Sequence, residues 1–212
     1  MDSEMIRIKR IKTSKRFATL LGSTILVLLV IAYLSPRNTF VSTYTIIKAS
    51  PESVLMVLNK PKNFNLWNPW YGQDTAVIYK TSKQASGEVN TIYWTSKNNA
   101  DLTGNLKYEK SENPLKLRII ANFGRQGKGI INFSANYTES GKTVLRLDYY
   151  TDYGMHPIDR LNGIIAKYWL KNDFQRALEL FKKAIESNPN FQPEPNKILP
   201  TAVDGDMLAS IN

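Results

Sequence analysis

Short alternating runs of apolar and polar residues fill most of this chain, bracketed by two segments of different period. From Phe17 to Leu34 the apolar run is continuous: FATLLGSTILVLLVIAYL, 18 residues without a charge. At ~1.5 Å per residue such a helix is about 27 Å long, close to the hydrocarbon thickness of a bilayer. Residues 39–49, rich in β-branched and aromatic side chains, predict a strand. Ser50-Pro51-Glu52 then predicts a short helix, with a capping serine, a proline suited to the first turn and an acid complementing the dipole. Pro61 ends it, and a second short helical or turn segment leads into Trp67-Asn68-Pro69-Trp70-Tyr71.

Six further strands are predicted at 75–81, 88–96, 101–109, 114–123, 128–138 and 142–151, separated by Gly, Asn and Pro turn chemistry. Leu115, Leu117, Ile119, Ala121 and Phe123 share one face of their strand, as do Ile131, Phe133, Ala135 and Tyr137, and Leu145, Leu147 and Tyr149. Such alternation, with short loops, predicts an antiparallel meander with one wet and one buried face. A long helix follows over about 157–187, with Leu161, Ile164, Ile165, Tyr168, Trp169, Phe174, Leu178, Phe181 and Ile185 as a broad apolar stripe. Residues 188–212, rich in Pro, Asn and small residues, read as an extended tail. One long amphipathic helix is available to cover the sheet, so the fold class is α+β, a curved seven-stranded antiparallel sheet around the C-terminal helix.

Charge orients the first segment. Six basic residues and two acidic ones lie within 1–16, whereas Arg37 and Lys48 are the basic residues that follow closely. The positive-inside rule leaves 1–16 in the cytoplasm and exports the domain from residue 37 onward, to a periplasmic or extracellular space. A cleaved signal peptide is the competing reading. Its core would be shorter, and the exit Ala32-Tyr33-Leu34-Ser35-Pro36 puts bulky residues where a small-x-small cleavage site is needed. Residues 17–34 are therefore read as a signal anchor, with the membrane as a partner.

Composition narrows the chemistry. The chain has no cysteine and one histidine, which removes disulfides, zinc–cysteine sites, thiol catalysis and multi-histidine metal centres. Neither a metal nor a cofactor is expected. The net charge of +10 is scattered beyond the N-terminus rather than gathered into a patch, and no nucleic-acid partner is expected. Two glycosylation sequons, at Asn132 and Asn136, fall inside a predicted strand and read as chance matches.

The order of elements, with Ile47-Lys48-Ala49-Ser50-Pro51-Glu52-Ser53-Val54, Trp67-Asn68-Pro69-Trp70, Gly87 with Trp94, and Gly141-Lys142-Thr143, resembles the SRPBCC (START-like, polyketide cyclase/dehydrase) superfamily over about 40–187. Membrane-anchored members with this arrangement are familiar from bacteria. The resemblance implies a helix-grip fold and a cavity for a hydrophobic ligand between sheet and helix, and no fixed catalytic set. Trp67, Trp70 and Tyr71 either rim an entrance to that cavity or plug the open end of the sheet. Trp94, Phe123, Phe133, Tyr149, Tyr168 and Trp169 are candidate linings, with ordinary core packing as the alternative for each. His156 with Asp152 or Asp159 is the one concentration of titratable chemistry near the expected mouth. A loop histidine before a helix, with Asp159 favouring the helix N-terminus, accounts for the same residues without catalysis. Three functions are carried forward: an anchored binding protein for a lipid or other small apolar molecule, a cyclase/hydratase-type enzyme using the same cavity, and a structural or protein-interaction domain without a ligand.

Overall fold

The structure, a computed structural model, describes residues 2–70, 75–83, 89–99, 103–124 and 127–188. Tyr71 and residues 189–212 of the tail lie outside the described residues. Helix α1, Asp2–Leu34, runs unbroken through the basic N-terminal stretch, and its Lys15–Leu34 part is long and apolar enough to cross a membrane. The polar side chains within that part do not break it. Thr19 donates to the carbonyl of Lys15 at 2.9 Å, and Ser23 and Thr24 donate to that of Leu20 at 2.8 and 2.9 Å. In hydrocarbon this back-bonding satisfies the hydroxyls internally.

Strand β1, Asn38–Ile47, leads to helix α2, Pro51–Leu58, where the Ser50 hydroxyl accepts from the Ser53 amide and Pro51 starts the helix. A 3-10 turn over Pro61–Leu66 precedes β2 (Val77–Lys83), β3 (Val89–Ser96), β4 (Thr103–Glu109), β5 (Lys116–Asn122), β6 (Lys128–Tyr137) and β7 (Thr143–Asp152), and helix α3, Pro157–Glu186, follows. The strands form one antiparallel sheet in the order β1-β7-β6-β5-β4-β3-β2, a meander whose last strand turns back to receive β1. The arrangement is the expected α+β helix-grip-like one: a seven-stranded open sheet with a long C-terminal helix against it.

Burial alternates along β1, β5, β6 and β7 as a one-sided sheet requires. Helix α3 lies against the β1 end of the inner face, and the threonines that β1 turns inward bind it there. Thr39 donates to the carbonyl of Gly163 at 3.3 Å, and Thr43 hydrogen-bonds Gln175. At the other end of α3 the Lys48 amide donates to Glu186 at 2.9 Å. The 3-10 turn sits against β3, and α2 against β6 and β7.

Two expectations about burial need correction. Tyr137 ends its strand exposed and donates its hydroxyl to Glu52 at 2.9 Å. More consequentially, Tyr168 and Trp169 are each 71% exposed and line no interior space. The stripe read from 3- and 4-residue steps was wide enough to contain two faces. Gly163, Phe174, Ala177, Leu178, Phe181 and Ile185 turn toward the sheet. At 100° per residue, Ile165, Tyr168 and Trp169 fall on the far side of the helix from them.

Candidate functional site

The interior between sheet and α3 is built from rings. Residues 64–70 close the β3 end: the amides of Trp67 and Asn68 both bond the carbonyl of Phe64, at 3.1 and 2.9 Å. Asn68 is buried and makes the segment rigid, its amide nitrogen donating to the Tyr79 hydroxyl at 3.0 Å and its carbonyl oxygen accepting from the Trp70 amide at 3.0 Å. Trp67 then stands edge-on to Phe64 at 4.9 Å and to Phe133 at 5.4 Å between centroids. A second line of rings runs from Trp94 to Phe123 at 6.0 Å, Phe123 to Tyr149 at 6.2 Å and Tyr149 to Phe174 of α3 at 5.2 Å. Edge-to-face and tilted ring contacts at these separations are favourable.

The structure thus brings Trp67, Trp94, Phe123, Phe133 and Tyr149 together in one interior. Trp70 is at its margin, half-buried. Its ring meets Phe123 at 5.9 Å and its indole nitrogen donates to Asp173 of α3 at 3.1 Å. One side chain therefore ties the 64–70 segment directly to the helix.

Two polar atoms in this apolar interior lack an outside partner among the described residues. Trp67 Nε1 and the Tyr108 hydroxyl are fully enclosed, in residues only 3% and 5% exposed, and neither makes a hydrogen bond to any other described group. An unpaired buried donor costs roughly 1–3 kcal/mol. The indole stands near enough to hold the phenol down somewhat, but burial dominates and pushes the Tyr108 hydroxyl well above its ordinary pKa. Burial likewise pushes Tyr149 up to about 12. Both phenols are neutral donors at any ordinary pH. Tyr108 was missed by sequence reasoning, although Leu106 and Tyr108 alternate with polar neighbours in LTGNLKYE, the signal that marks inward positions.

The acid–base candidates stand elsewhere. Asp152 is clamped by Arg37, whose Nε donates to both carboxylate oxygens at 2.7 and 2.9 Å, and it accepts from the Gly154 amide at 2.7 Å. Those bonds hold its carboxyl below the usual carboxylate range. His156 is the N-cap residue of α3 and faces Asp159 across 3.6 Å, both exposed. The three groups do not converge on the interior. On the opposite face of the sheet lies an open depression of about 280 Å³, lined by Lys80, Tyr93, Thr95, Asn105 and Asn122 among others. Register puts these on the outer side, away from buried Ile92 and Leu106. Among the described residues no cluster of His, Asp and Glu suits a metal.

No family model matches the chain, and no curated protein matches it. Solved structures do. Protein CV1439 from Chromobacterium violaceum is 13% identical, covering 71% of this chain and 99% of its own at a TM-score of 0.47. TTHA0849 from Thermus thermophilus is 15% identical over 68% and 95% of the two chains at 0.48. CalU16 from Micromonospora echinospora is 12% identical over 74% and 89% at 0.44. These are likenesses of outline, from which nothing about ligand or activity passes to this chain.

Proposed function

We propose that this protein is a membrane-anchored binding protein that holds one small apolar molecule, lipid or lipid-like, between sheet and C-terminal helix. The observation that carries the reading is the unpartnered pair Trp67 Nε1 and Tyr108 OH within the ring-lined interior. Two neutral donors in an apolar enclosure suit a neutral acceptor, such as an ester or ketone carbonyl, at the end of a hydrocarbon body. A carboxylate would have to be desolvated without a cation to meet it, at a cost of several kcal/mol. The ligand enters by parting the 64–70 segment from α3, which releases the Trp70–Asp173 bond. The exported position of the domain and the anchoring role of 17–34 belong to the same proposal, supported by the length and apolarity of α1 and the basic residues before it.

The enzyme reading finds less support, because His156, Asp152 and Asp159 bond to surface partners. The test is native mass spectrometry of the full chain, purified in mild detergent from its own host. A stoichiometric apolar adduct bearing a neutral acceptor, released by organic extraction, is expected. A chain that carries nothing and binds no member of a panel of long-chain esters, ketones and hydrocarbons would overturn the binding function, leaving a structural domain.

A further inference from the structure

The first half of α3 turns an apolar face to the outside. Ile158, Ile165, Tyr168 and Trp169 are all strongly exposed, on the side away from the sheet. The same face changes character further along: Asn172, Arg176, Glu179 and Lys183 continue it at helical spacing with polar and charged side chains. Only the half next to α1 is apolar. That proximity is built in, since Arg160, nearly buried, donates to the carbonyl of Tyr33 at 2.9 Å and to that of Gly154 at 3.1 Å. The Tyr33 carbonyl is among the last four of α1, which have no partner within the helix, so Arg160 caps that helix. Ala32 and Ser35 are buried at the same junction. The anchor's end is thus fixed to the first turns of α3, a turn or two from the exposed rings.

We propose that the outer face of residues 158–169 lies in the interface of the membrane that α1 crosses, so that the domain reclines on the lipid rather than standing off it. The proposal rests on the reading of α1 as a membrane span. Tyrosine and tryptophan are the residues that settle at the headgroup level, with an apolar ring and a polar edge. Isoleucines beside them enter the acyl boundary. The reclining pose would also bring the Trp70–Asp173 bond, a turn beyond Trp169 on α3, close to the lipid.

The absence of cysteine makes the test clean. Full-length Val27→Cys, Trp169→Cys and Lys183→Cys proteins, each carrying one environment-sensitive fluorophore, are reconstituted into vesicles of phosphatidylethanolamine and phosphatidylglycerol containing shallow or mid-chain doxyl lipid. Roughly twofold quenching is expected at 169 by the shallow quencher and at 27 by the mid-chain quencher, and none at 183. Quenching at 27 without quenching at 169 overturns the docking and leaves the span standing. No quenching at 27 overturns the span and the docking with it. Fluorophores at 169 that respond to a second copy rather than to lipid overturn the docking in favour of an interface between copies.

Discussion

Tyr108→Phe is expected to separate folding from binding. The ligand-free protein should be as stable as the parent or more so, by up to about 2 kcal/mol, because the substitution removes an enclosed hydroxyl with no partner beyond the Trp67 indole among the described residues. Affinity for a long-chain ester should fall about tenfold, the equivalent of roughly 1.4 kcal/mol for one lost buried hydrogen bond. Affinity for the matching alkane should not change. Chemical denaturation of the empty protein and titration with both probes check the two halves. A destabilised variant that still binds the ester as tightly would mean that the hydroxyl serves the core and not a ligand.

Gly104→Ala should be the most disruptive single methyl in the sheet. Gly104 lies on β4 opposite Trp94 of β3, whose six-membered ring covers it. An alanine methyl would collide both with that ring and with the carbonyl oxygen of Asn122 on β5. The ring can turn aside, at the expense of its contacts with Phe64 and Phe123. The carbonyl belongs to the backbone and moves only if the strands part. Overpacking of this kind costs about 3 kcal/mol, the upper end of the usual range, and lowers the melting temperature by roughly 10 °C for a chain of this size. Gly22→Ala is the control, since nothing among the described residues stands near a methyl there. Adding Trp94→Leu should restore part of the loss and not all of it, because the carbonyl remains.

Much of this architecture was legible in the chain. Alternation over β5 to β7 follows from the period of a strand, and the Ser50-Pro51-Glu52 entry to α2 from local hydrogen bonding, so neither needs the rest of the molecule. Trp67, Trp94, Phe123, Phe133 and Tyr149 do meet in one interior. Tyr168 and Trp169 misled because helical periodicity tells which residues share a face and not which face meets the sheet. That choice is made by Gly163, which lies under the Tyr153 ring, and by the inward threonines of β1, which are far away in sequence. His156 and its acidic neighbours were close along the chain, yet Arg37, 115 residues from Asp152, had already taken one of them. Tyr108 escaped notice because its strand is otherwise full of Thr, Gly, Asn and Lys, and an unpaired hydroxyl is visible only once every neighbour is placed.

The most direct measurement is the indole N–H resonance of Trp67 in the full-length protein labelled with nitrogen-15 at its four tryptophans, assigned through Trp67→Phe. Addition of a long-chain methyl ester should move that proton downfield to a hydrogen-bonded position and slow its exchange with water, while the matching alkane should leave it in place. The account is contradicted if the ester binds and the Trp67 resonance stays where it was, because the polar end of the ligand would then lie somewhere other than against Trp67 and Tyr108.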